Sequence, residues 1–122
     1  MEWRQTFNAI DFPVLIIDLQ GIVKRSNEAA EQIAGLGSEA INGRTLEELG
    51  EHQPWKKAAE LIAVVRGSHS AVSEEVKCNL TGKTWSLTLY LISEFGSVGE
   101  RAIFIAQDIT KRAELEASLR QS

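Results

Sequence analysis

Apolar positions recur along this chain with two different periods, and the changes of period mark its elements. In EWRQTFNAI, Trp3, Phe7 and Ile10 stand at i, i+4 and i+7, one stripe of a short helix. Pro13 blocks continuation. PVLIIDLQG is a β-branched run closed by the turn DLQG, and IVKRS follows as a shorter strand. Together they predict a hairpin, with Gly21 giving its turn an unrestricted backbone.

The period then becomes helical. NEAAEQIAGLG has Ser26 or Asn27 to cap it, Glu28 for its first turn, and Gly35 or Gly37 to end it. In SEAINGRTLEELG, Gly43 interrupts, and Thr45 and Glu48 at capping-box spacing predict a single helical turn. PWKKAAELIAVVRG predicts the best helix of the chain. Pro54 suits its first position, Gly67 suits its C-cap, and Trp55, Ala59, Ile62 and Val65 or Arg66 share a face. After SHS the strand period returns. AVSEEVKCN and KTWSLTLYLISEF flank the turn LTG, and RAIFIAQDI follows the Gly-rich turn GSVGE. The chain closes on a charged helix, so helical segments flank and interrupt five strands. This order predicts an α+β domain with one five-stranded antiparallel sheet and a helical insert between strands 2 and 3.

The fourth strand is apolar on both parities: Trp85, Leu87, Leu89 and Leu91 on one, Ser86, Thr88, Tyr90 and Ile92 on the other. A sheet with one wet face alternates apolar with charged residues, so both faces of this one are expected to be covered.

At 122 residues the chain has the size of one domain, with 43% hydrophobic and 25% charged residues. A net charge of −4 argues against a nucleic-acid or anionic-membrane surface. Cys78 is the single cysteine, which leaves no internal disulfide and no thiolate metal site, and fits a reducing cytoplasm. No apolar run is long enough to span a bilayer, and the N-terminus does not read as a signal peptide.

Three stretches carry a family resemblance. LIIDLQGIVKRSNEAAEQIAG, INGRTLEEL and DITKRAELEASL, in this order and spacing, resemble the opening strands, the Gly-Arg turn and the Asp-Ile-Thr junction of PAS domains. The resemblance runs from about Phe12 to Lys111. It implies an N-terminal amphipathic helix over 1–10, a PAS core over 11–110, and the start of a signalling helix over 111–122 that continues toward an output domain.

Catalysis finds no constellation. His52 and His69 are the only histidines, each in a turn-rich stretch without a nucleophile and orienting acid nearby. GLGSEAING lacks the Lys-Ser/Thr of a phosphate loop. Two histidines and one cysteine do not make a metal set. Some PAS domains hold haem on a histidine of the long helix, but Trp55–Arg66 has none, and His69 lies past Gly67. The blue-light subclass needs a cysteine near the NGR turn, and none is there. Haem and covalent flavin are therefore not expected, and no cofactor is named.

A small-molecule pocket remains. Matched to flavin-binding relatives, the resemblance turns Ser86, Thr88, Tyr90, Ala102, Phe104 and Ala106 toward the helices. Ile33, Leu46, Leu49, Trp55, Ile62 and Val65 would face them. An ordinary filled core is the competing expectation. The other parity, Trp85, Leu87, Leu89 and Leu91 with Ile103 and Ile105, would form an outward apolar patch. Trp3, Phe7 and Ile10 of the first helix would cover it, or share it with a second copy in a homodimer. At the junction, Thr110 is expected to cap the last helix and Asp108 to bond the backbone. Leu115 and Leu119 at i, i+4 offer the start of a seam. The expectation is a non-catalytic sensory and dimerisation module, for example of a histidine kinase. The alternative is a purely structural interaction module with a filled core.

Overall fold

The turn at DLQG closes on the carboxylate of Asp18, whose Oδ1 accepts from the amides of Gln20 (2.9 Å) and Ile22 (3.0 Å). Gly21 sits at φ 86°, the left-handed conformation this turn requires. It joins strand β1 (Val14–Asp18) to β2 (Val23–Ser26). In this computed structural model the described residues are 3–50, 52, 54–92 and 100–121; the side chains of Trp3 and Arg4 are not described.

Helix α1 (Trp3–Ala9) precedes the hairpin. Helices α2 (Glu28–Ala34), α3 (Ser38–Ile41) and α4 (Trp55–Ser68) follow it, with a 3₁₀ turn over Leu46–Leu49 before α4. Strands β3 (Val72–Lys77), β4 (Thr84–Ile92) and β5 (Arg101–Asp108) lead into α5 (Thr110–Gln121). Every strand pairing is antiparallel, and the strand order is β2-β1-β5-β4-β3. The helical insert between β2 and β3 packs against one face of this sheet. Most of the GSVGE turn lies outside the described residues.

Local chemistry explains most boundaries. Asn27 caps α2 and Gly35 ends it in the left-handed conformation. Thr45 and Glu48 form the capping box in both directions, and these bonds hold the Glu48 carboxyl below the usual carboxylate range. Two boundaries differ from expectation. The short helix α3 forms between Gly37 and Gly43, where only a turn is foreseen. Helix α4 runs through Gly67 and closes one residue beyond its end on His69, at φ 54°, whose amide donates to the Val65 carbonyl at 2.8 Å. A glycine inside a helix costs only about 1 kcal/mol, less than the packing of the preceding turn returns.

The sheet register corrects the assignment of faces. Leu87 pairs with Ala106, Leu89 with Phe104 and Leu91 with Ala102. Residues directly opposite in an antiparallel pair share a face. Trp85, Leu87, Leu89 and Leu91 therefore lie with Ala102, Phe104 and Ala106 on the helical side. Ser86, Thr88 and Tyr90 lie with Gln107, Ile105 and Ile103 on the other. The two strands cannot have their parities chosen independently, because the pairing couples them. Burial follows the register: Leu87, Leu89, Phe104 and Ala106 are fully buried, while Tyr90 is 48% exposed.

Candidate functional site

Three places can do chemistry or carry a signal: the core between insert and sheet, a cleft at one end of it, and the joint between β5 and α5.

Of the expected pocket residues, Leu46, Leu49, Trp55, Ile62, Val65, Phe104 and Ala106 are brought together in one buried cluster, with Ala102. Trp55 and Phe104 meet with ring centroids 6.1 Å apart and planes tilted by 47°. Leu15, Ile17, Leu87 and Leu89 complete the same cluster. Ser86, Thr88 and Tyr90 are not part of it: they face away, where Ser73 and Thr88 share a hydroxyl bond of 3.1 Å. Ile33 is 39% exposed on α2 and stands outside the buried cluster.

The expected apolar patch is redistributed in the same way. Of its sheet members only Ile103 and Ile105 lie on the outer face, half-buried, beside Ile16 and Val14 of β1. Trp85, Leu87, Leu89 and Leu91 belong to the inner face. Phe7 and Ile10 are half-buried, and the side chain of Trp3 lies outside the described residues.

The cleft has a volume of about 410 Å³ and opens between the end of α2, the loop at Gly50–His52 and the β3–β4 turn. Ile33, Leu49, Trp55 and Trp85 line it together with Leu80 and Lys83. A methyl group on Gly50 would stand 3.1 Å from the Trp55 ring, so glycine lets the loop close onto the indole.

At the joint, Asp108 accepts through Oδ1 from the Thr110 amide at 3.0 Å and from the Thr110 hydroxyl. The Thr110 Oγ1 in turn accepts from the amide of Thr84, the first residue of β4, at 3.0 Å. The Ile109 amide donates to the Thr84 carbonyl at 2.8 Å. Thr110 thus does not cap its own helix; Ile109 stands at that position, with its carbonyl accepting from Ala113 at 2.9 Å. Partial burial alone would raise the Asp108 pKa. The Thr110 bonds and the Lys83 ammonium outweigh it and hold the carboxyl below its ordinary value. Beyond this clasp α5 has no buried residue, and Leu115 and Leu119 are 62% and 65% exposed.

Sequence reasoning offered Asn27 only as a helix cap. It is fully buried and ties the segment over residues 10–14 to the start of α2. Its Oδ1 accepts from the amides of Val14 and Ala30, both at 3.0 Å, and its Nδ2 donates to the carbonyls of Phe12 (2.9 Å) and Ile10 (3.4 Å). Asn27 is the one buried polar or charged residue among those described.

A family profile described as the PAS fold matches residues 7–114. The chain belongs to the PAS fold family. Among solved structures, it is similar to the PAS domain of BvgS from Bordetella pertussis, with 21% identity over 98% of this chain and 92% of that one, and a TM-score of 0.70. The photoactive yellow protein domain of the sensor histidine kinase Ppr from Rhodospirillum centenum matches at 14% identity, over 88% of this chain and 93% of that one, with a TM-score of 0.68. VqmA from Vibrio cholerae matches at 21% identity and a TM-score of 0.69, over 93% of this chain but 53% of its own. A comparison with curated proteins found no match. The PAS sheet and insert described above are thus the family's shared frame. Among the described residues no helix is long and apolar enough to cross a membrane, and no group of three potential metal ligands occurs.

Proposed function

We propose that this PAS domain is a non-catalytic sensory and dimerisation module of a cytoplasmic signalling protein. Residues 11–110 form its core, and 111–122 begin the helix that leads to an output domain. The observation that carries this reading is the clasp at Asp108, Thr110 and Thr84. It fastens the first turn of α5 to the sheet while the rest of the helix stays clear of the body. No residue of α5 is buried, and helices in proteins draw most of their stability from packing, so α5 is suited to a partner. Leu115 and Leu119 offer that partner an apolar edge.

The outer face of β1 and β5, with Val14, Ile16, Ile103 and Ile105, is the surface on which two copies would meet. The solved relatives are in keeping with this: BvgS contributes a PAS domain, Ppr is a sensor histidine kinase, and VqmA is described as a dimer and as bound to DPO. A change of packing in the sheet would reach α5 through Thr84.

The test is a fusion of the chain to a histidine kinase output, with Asp108→Ala and Thr110→Ala introduced separately. Altered basal or stimulated output in either variant is expected; unchanged signalling in both would end the coupling role. Light scattering at high concentration should show a dimer that Ile105→Asp dissociates.

One observation favours a second reading, a structural interaction module without a ligand. Trp55 and Phe104 pack against each other within one cluster of buried side chains. Native mass spectrometry after gentle purification separates the two readings, since a scaffold carries no bound small molecule.

A further inference from the structure

The cleft beside Trp85 lies where the buried core cluster meets the β3–β4 turn, and its wall has a distinctive chemistry. Its apolar part is Trp55, Trp85, Leu49 and Leu80, two indoles and two leucines. Among the described residues no Asp or Glu lines it, although acids outnumber bases in the chain as a whole, 17 to 13. Among the described lining residues Lys83 is the one permanent cation, its ammonium 5.8 Å from the centre of the Trp85 ring. Among the described residues Lys83 makes no direct ion pair, although its charge also acts on the Asp108 carboxylate. His52 also stands in the wall.

Trp85 supplies an independent sign. The residue is only 4% exposed, and among the described residues its indole N–H is buried without an acceptor. An unmade bond to a buried donor costs about 1–3 kcal/mol, so buried indole N–H groups are nearly always paired. A ligand bringing an acceptor to this edge would recover that cost. The volume of about 410 Å³ falls within the range of small-molecule sites.

We propose that this cleft binds a small aromatic carboxylate, its ring between Trp55 and Trp85 and its carboxylate on Lys83 and the Trp85 indole N–H. Binding stands on the cleft alone. Its consequence for signalling rests on the relay reading above, because Lys83, Thr84 and Trp85 are consecutive and Thr84 holds Thr110 by its amide. A ligand that repositions Lys83 and Trp85 therefore pulls on the residue between them, which anchors α5.

Benzoate, phenylacetate and their neutral amides are titrated into the full chain, with the Trp55 and Trp85 indole N–H resonances observed by NMR. The carboxylates should shift the Trp85 indole N–H in a saturable way and bind more tightly than the amides. Lys83→Gln, a substitution at an exposed side chain, should weaken the carboxylates about tenfold and leave the amides unchanged, as loss of one charge-assisted contact would. Trp85→Phe keeps an aromatic wall and should also weaken the carboxylates. No saturable shift at Trp85, or equal affinity for acid and amide that Lys83→Gln does not alter, overturns the site. Thr110→Val keeps the two claims apart. Binding should persist in this variant without movement of α5; movement of α5 that survives the substitution, or that is absent when ligand binds the unaltered chain, refutes the relay alone, whereas absent binding in the unaltered chain refutes the cleft alone.

Discussion

Two joints in this molecule fasten a helix to the sheet by the same means, a short polar side chain capturing backbone amides, yet they differ in what surrounds them. At the first, Asn27 is fully buried and makes four bonds, to Val14, Ala30, Phe12 and Ile10. At the second, Asp108 is exposed and Thr110 half-buried, and their bonds reach Thr84 and each other. Water can replace a bond at the second joint and cannot at the first. The first is therefore a rivet of the fold. On the function proposed above, the second is a clasp that opens without unfolding the domain, as an element that transmits a signal must.

The largest effect is expected at the rivet. Asn27→Ala leaves the Val14 amide and the Phe12 carbonyl unpaired in the interior and removes the cap of α2. It should lower the unfolding free energy by about 3 kcal/mol, measured by urea denaturation. A loss below about 1 kcal/mol would erase the distinction between the joints. Thr110→Val keeps shape and removes the hydroxyl from the clasp. It should cost about 1 kcal/mol or less in the same assay, while amide exchange at Thr84 quickens several-fold.

The smallest effect is the pH dependence of the clasp. The folded Asp108 carboxyl titrates below its unfolded counterpart, so its contribution is fully present above the ordinary Asp range. It is lost as pH falls through the lowered folded value. An NMR titration of the Thr110 amide should show a transition below the ordinary Asp value, and Asp108→Asn should abolish it. A transition at or above the ordinary value would mean that the bonds to Thr110 do not hold in solution.

The element order and the family frame were legible because their signals are local. DLQG with Gly21, the Thr45–Glu48 box and the Asn27 cap each lie within a few residues. The faces of β4 were not legible. Both of its parities are apolar enough to be buried, and the choice is made by pairing with β5, a fact no stretch of β4 contains. The same non-locality hid the rivet. Asn27 reaches its partners in the N-terminal segment across 13, 15 and 17 residues. It also hid the cleft, whose wall joins α2, the loop before α4 and the β3–β4 turn. At the junction, the residue types Asp108 and Thr110 pointed to backbone bonding, but the partner, Thr84, lies 26 residues away. Thr110 is spent on the sheet rather than on its own helix.

Native-state hydrogen exchange, resolved by residue, tests the difference between rivet and clasp most directly. The amides of Val14 and Ala30, held by Asn27, should exchange only through global unfolding. Those of Thr84 and Thr110 should exchange through a local opening of lower free energy, insensitive to low denaturant. Equal protection at all four amides, with the same denaturant dependence, would contradict a clasp that opens on its own.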